Sequence, residues 1–207
     1  MPYKQLEIPS GVPPRVTQFI RRLEDHYLCD VHCLLRLPLP QHSLTAGCNY
    51  AISQVLMAVI GGVSTTLYKQ SGQSGTLFKD LLIDYYPWKD EPSPTVSPKD
   101  GADIIYSVFR NPLTHNLGFD VKKKSKTTDI NLKRLTTTGG NEGLSDSLIA
   151  QIEDTKSRFN MSATVTIAGG ATTLLVEALY WGVRVMLERL TKDNGRMQSA
   201  KNYLMSL

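Results

Sequence analysis

Apolar residues recur along most of this chain at three- and four-residue steps, the spacing of helices with one buried face. Residues 1 to 12 break the pattern and read as an extended arm. Pro13-Pro14 then opens a helix, because proline fits a first helical turn. Its stripe is Val16, Phe19, Ile20, Leu23, Tyr27, Val31 and Leu34, with Arg15, Gln18, Arg22 and Asp25 largely opposite, and Pro38 and Pro40 end it. A second helix is predicted from about Thr45 to Tyr68. It lies in a stretch free of Asp, Glu, Lys and Arg between Arg36 and Lys69, which places it at the centre of a bundle. A shorter third helix turns Leu77, Leu81, Leu82 and Tyr85 inward. Ser97-Pro98-Lys99-Asp100 has the residues of a helix start, with Ser97 as cap, Pro98 in the first turn and Asp100 reaching back. The stripe that follows, Ala102, Ile105, Tyr106, Phe109, Leu113 and Leu117, runs past Pro112. The helix is therefore expected to pass that proline with a kink and to stop at Gly118.

Beyond Gly118 the character changes. Thr127 to Leu135 and Ala163 to Ile167 alternate and read as strands. Leu144 to Ser157, about Thr172 to Thr191, and Met197 to Leu204 read as helices. The predicted fold is mainly α: a four- to five-helix bundle over residues 13–118, with residues 119–207 an α+β extension packed on it that carries a small β element of two short strands.

Composition narrows the function. A length of 207 residues with 41% apolar residues suffices for a core without metal or disulfide staples. The three cysteines, Cys29, Cys33 and Cys48, are too few for a disulfide framework and point to a reducing compartment. No signal-peptide core opens the sequence, so the expected location is cytoplasmic. Leu44 to Val63 is long enough to span a bilayer, but Asn49, Ser53 and Gln54 and the missing aromatic-basic flanks favour a buried soluble helix, without membrane contact. A net charge of +4 is compatible with a polyanionic partner without demanding one. Gly139-Gly140 and Gly169-Gly170 are not followed by the Lys-Ser or Lys-Thr of a phosphate loop, which excludes a nucleoside triphosphatase of that type. His26, Cys29, Cys33 and Cys48 are ligand types for zinc, but the thiols lie beside the stripe and read as buried cysteines, so no metal or other cofactor is called for. Glu177, Trp181, Arg184 and Glu188 share one helix face. That face suits either a partner or dimer surface or a set of local ion pairs.

The sharpest chemistry lies at Arg110-Asn111-Pro112-Leu113-Thr114-His115. A guanidinium matches phosphate oxygens and an imidazole moves protons near neutrality. Together they suit RNA cleavage, with Arg110 against the charge that builds on the phosphate and His115 as acid or base. On a straight helix residues five apart diverge by about 140°, so convergence depends on the bend at Pro112. One histidine supplies one proton-transfer group; two copies about a two-fold axis supply two. The lysines 122, 123, 124 and 126 (Lys122, Lys123, Lys124, Lys126) lie just beyond, suited either to backbone phosphates or to a solvated loop.

The string from Phe109 to Gly118 resembles the Arg-x4–6-His signature of the HEPN superfamily, with Arg110 and His115 at the catalytic positions and Asn111 at the supporting polar one. The resemblance covers residues 13–118. It implies an α-helical bundle that forms a homodimer in which the two signatures meet. It also implies metal-independent endoribonuclease activity in a toxin–antitoxin or antiviral (phage-defence) setting, with an antitoxin or other protein as possible partner. Other members of that superfamily are non-catalytic modules that bind RNA or a nucleotide, and a helical partner-binding protein is a further alternative. The signature usually opens its helix. Here the stripe puts it near a helix end, unless Asn111 caps a fresh helix at Pro112.

Overall fold

The computed structural model describes residues 2–37, 48–92, 95–111, 129–133, 143–157 and 162–207. The first helix, α1, is built of Pro14–Leu23 and Cys29–Leu35 joined by a π-turn over Glu24–Leu28. Helix α2 covers Asn49–Val63 and continues as a π-turn through Ser64–Tyr68. Helix α3 is Ser74–Tyr85. Helix α4 is Pro98–Ile104 with a π-turn over Ile105–Arg110. The later elements are β1 Asp129–Lys133, α5 Asp146–Glu153, β2 Val165–Ala168, β3 Ala171–Leu175, α6 Val176–Thr191 and α7 Asn194–Ser206. The fold is mainly α with a small β element, as the periodicity predicts.

Helices α4, α5 and α7 start at side-chain caps. Ser97 accepts the Asp100 N–H at 3.2 Å, as predicted, and the Asp100 carboxylate reaches back to accept from the Ser97 hydroxyl at 2.6 Å, where a capping box would take the Ser97 backbone N–H. Ser145 caps α5 through the Leu148 N–H, and Asp193 caps α7 through the Arg196 N–H at 3.0 Å.

The π-turn in α1 corrects the predicted stripe. Buried positions run Val16, Ile20, Leu23 and Glu24, then jump to Leu28, Val31, His32 and Leu35. A π-turn adds one residue to a turn and rotates everything beyond it. Tyr27, expected inward, is 46% exposed, and Leu34 is only half-buried.

A second correction concerns residues 171–175, which the reading assigns largely to the start of the long helix. They form β3, which pairs antiparallel with β2 and parallel with β1, giving the order β1-β3-β2. Gly169 and Gly170 have φ of 57° and 82°, and positive values at both positions are what a two-residue hairpin turn demands. The β-branched run Thr172-Thr173 pairs with Ile167 and Thr166 rather than entering the helix.

The centre of the fold is α6, not α2. Every residue from Val176 to Leu187 is buried, and α6 touches α2, α3, α5, α7 and β3. Gly182 is required there: a Cβ would fall on the Tyr86 ring, whose hydroxyl is 2.6 Å from the Thr164 hydroxyl. Helix α2 is, among the described residues, the one helix long and apolar enough to cross a bilayer, and half of that stretch is buried inside the protein. One hydrophobic cluster runs from Leu6 to Ala200, so the two halves of the chain share a core.

The docking of α7 carries a pH dependence. The Tyr85 hydroxyl donates to the Asp193 carboxylate at 2.6 Å. That bond, with the Arg196 N–H, holds the Asp193 carboxyl below the usual range, and burial together with Asp193 pushes the Tyr85 phenol up to about 12. The lowered carboxyl contributes stability above about pH 4 that is lost as pH falls through its folded pKa. The raised phenol contributes below about pH 10 and loses its contribution as pH rises through about 12. Melting temperature measured from pH 2 to 7 is therefore expected to converge for wild type and Asp193→Asn at the acid end and to separate towards neutrality. A constant gap across that range would contradict this account.

Candidate functional site

Arg110 ends the π-turn of α4. Its Nη1 donates to the Asn111 side-chain oxygen at 3.0 Å, and the guanidinium carbon stands 5.3 Å from the centre of the Tyr106 ring. Tyr106 is fixed in turn. Its ring lies 5.5 Å from Phe78 of α3 and close over Gly75, where any Cβ would strike the phenol. The half-buried Arg110 is thus held on an aromatic face with its fork steered by Asn111, an arrangement suited to one fixed direction of phosphate approach.

A proline follows the π-turn in the sequence. Pro112 has no N–H, and in an α-helix its ring would press on the carbonyl of Val108. The turn before it is already widened, with the Asn111 N–H donating to the carbonyl of Tyr106, five residues back. Asn111 has φ −64° and ψ −48°. These helical values continue α4, whereas an N-cap is ordinarily extended, and the fresh helix considered for Pro112 lies outside the described residues. His115 and the basic run Lys122, Lys123, Lys124 and Lys126 lie outside the described residues.

Two features escaped the sequence reading. One is a groove of about 410 Å³ between α1 and α2, with Arg22, His26 and Tyr27 on one side and Ala58, Gly62 and Thr66 on the other. Among the described residues neither Arg22 nor His26 has a hydrogen-bond or ion-pair partner. The signal for it was Arg15, Gln18, Arg22 and His26 at helical spacing beside Phe19 and Tyr27. The π-turn hid it by moving Tyr27 outward.

The other is a buried polar network under the N-terminal arm. Glu153 is 1% exposed. Its Oε1 lies 2.8 Å from His32 Nδ1 and accepts the Tyr180 hydroxyl at 2.8 Å, and its Oε2 accepts the Lys4 N–H at 3.1 Å. Arg184, fully buried, donates to the Tyr3 hydroxyl at 2.7 Å and to the carbonyls of Lys4 and Glu153 at 2.6 and 3.3 Å. Glu24 accepts from Tyr3, from the Leu6 N–H and from Arg21. Burial drives the phenols of Tyr3 and Tyr180 far above their ordinary range, so both stay protonated donors. The partner or dimer surface considered for Glu177, Trp181 and Arg184 is therefore corrected: these side chains are buried within this chain, and only Glu188 is partly open.

Among the described residues no three His, Cys, Asp or Glu side chains gather as metal ligands. The Cys29 thiol is pushed up by burial, then by Asp25, and at neutral pH is not a thiolate nucleophile.

Compared with protein-family models, with curated proteins and with solved structures, the chain has no match.

Proposed function

We propose that this chain is a metal-independent endoribonuclease of HEPN type, working as a homodimer in which Arg110, Asn111 and His115 of both copies line one cleft. The observation that carries the reading is the mounting of Arg110, stacked on Tyr106 and hydrogen-bonded to Asn111 at the widened helix end that precedes Pro112. A pre-oriented guanidinium is what an in-line attack on phosphorus needs, because charge grows on the non-bridging oxygens and a fixed cation costs no reorganisation.

In the reaction one His115 removes the proton of the 2′-hydroxyl. That oxygen attacks the adjacent phosphorus, the bond to the 5′-oxygen breaks, and the other His115 returns a proton to the leaving oxygen. The products are a 2′,3′-cyclic phosphate and a 5′-hydroxyl end. Asn111 orients Arg110, and Lys122, Lys123, Lys124 and Lys126 add phosphate-backbone contacts. The setting is a cytoplasmic toxin or antiviral defence system with an antitoxin or other protein partner.

The test is cleavage of unstructured RNA in EDTA. Wild type is expected to cut, and His115→Ala to cut at least about a hundredfold more slowly. Equal rates would remove His115 from the mechanism. Salt-sensitive RNA binding that Arg110→Ala weakens, with the RNA left intact, would assign the same site to a non-catalytic module.

A further inference from the structure

We infer that the face of α1 carrying Arg15, Gln18, Arg22 and His26 is a binding track for single-stranded nucleic acid, with the groove against α2 as the pocket for a base. That the strand is RNA rests on the nuclease reading; the track itself does not.

The four polar residues keep to one side of the helix at steps of three, four and four, over about 16 Å. All four are exposed. Arg22 and His26 have no partner among the described residues, so their donors are open to an incoming anion. Among the described residues Arg15 makes one hydrogen bond, to the Gln18 side-chain oxygen at 3.4 Å. Of the neighbouring carboxylates, Glu24 is buried and taken up by Arg21, and Asp25 forms no ion pair with Arg22 or His26 among the described residues.

Beside this polar line lie two hollows that share Phe19 and Arg22. The larger, about 410 Å³, opens towards Tyr27 and the small residues of α2. The smaller, about 160 Å³, is closed by Leu204 and Leu207 of the C-terminal segment. A positive line flanked by aromatic and apolar recesses is the arrangement that holds a single strand, with phosphates on the cations and bases against the rings. A purely apolar partner would leave Arg22 and His26 desolvated without compensation, and a duplex has no free base to enter the pocket.

The pocket exists because α2 presents small side chains here. A Cβ built on Gly62 meets nothing within 4 Å, so a larger residue fits without disturbing the helix and projects into free space. The π-turn supplies the opposite wall by turning His26 and Tyr27 outward.

The experiment measures binding of a fluorescent single-stranded 2′-O-methyl oligonucleotide to the full chain in EDTA over a range of KCl. Such a strand has no 2′-hydroxyl and cannot be cut by the proposed reaction, so binding is read apart from chemistry. Binding is expected to weaken steeply with salt. Arg22→Gln is expected to lower the salt slope by about one, and Tyr27→Ala to weaken binding about tenfold, with Tyr27→Phe close to wild type. Gly62→Leu is expected to block the pocket with the fold intact and the melting temperature no lower than wild type.

Equal binding by wild type, Arg22→Gln and Gly62→Leu would overturn the track while leaving the nuclease reading intact. A dimer that Gly62→Leu converts to monomer, with no strand bound, would assign the groove to a second copy of the chain and overturn it too. Displacement by adenosine 5′-monophosphate at equal nucleotide concentration, with Arg15→Gln silent, would assign a free nucleotide and remove the strand. Strand binding that follows the variants in a protein that cuts no RNA would uphold the track and sink the nuclease.

Discussion

Glu153→Leu is expected to lower stability by about 3–5 kcal/mol, the cost of removing one partner from a buried charged set. For a chain of this size that is a fall of roughly 6–20 °C in melting temperature. The carboxylate is acceptor-only, so it fixes the proton on His32 Nδ1 and takes the Tyr180 hydroxyl and the Lys4 N–H as well. Leucine supplies none of these acceptors: the buried His32 N–H loses its carboxylate, the Tyr180 hydroxyl falls back on the Leu28 carbonyl at 3.4 Å, and the half-buried Lys4 N–H is released. Glu153→Gln is expected to cost less, about 1–3 kcal/mol, because its oxygen still accepts while its NH2 opposes the Lys4 N–H. Adding His32→Leu to Glu153→Leu is expected to recover part of the loss, since an unpaired imidazole is then removed as well. A double variant less stable than the sum of the two single losses would mean that the pair is not the source of the effect. The arm reports the same chemistry: limited proteolysis near residues 2–8 is expected to quicken in Glu153→Leu, because Lys4 loses one of its tethers and keeps those to Arg184 and Asp154.

The second large effect follows from the proposed nuclease reaction. Arg110→Ala is expected to lower kcat for RNA cleavage by about 10²–10³, with KM changed much less, the signature of a contact made mainly in the transition state. Arg110→Lys keeps the charge but loses both the planar fork that Asn111 steers and the stacking on Tyr106, and is expected to recover little of the rate. Folding is expected to change by no more than about 1 kcal/mol, since Arg110 is only half-buried. Unchanged turnover in Arg110→Ala, with the protein folded, would end the proposed role.

Much of the fold was legible in the sequence because helices bury one side and start at recognisable residues. Pro14, Ser97-Pro98 and the stripes through Leu81 and Phe109 mark elements that exist, and the helices at Pro14 and Pro98 start where predicted; the predicted passage through Pro112 to a stop at Gly118 lies outside the described residues. Two errors share a physical cause, since each assumes a local rule that a neighbour overrides. A constant period placed Tyr27 inside, and the π-turn at Glu24–Leu28 rotated it out. Charge placed α2 at the centre, and α6 stands there instead because the Tyr3 hydroxyl and the carbonyls of Lys4 and Glu153 take up the Nη donors of its buried Arg184. Of the candidate cleavage site, Arg110 and Asn111 were legible as residue types, while the ring of Tyr106 over Gly75 that holds Arg110 was not.

The order of the elements, the helix caps, the proline that follows Arg110 and the glycine pair of the hairpin turn are properties of the chain itself, because each depends on residues a few positions apart. Only the tertiary structure decided which charges could be buried. Glu24, Glu153 and Arg184 come from separate elements and meet across the arm, and a charge read singly along a sequence looks exposed until its distant partner is brought to it.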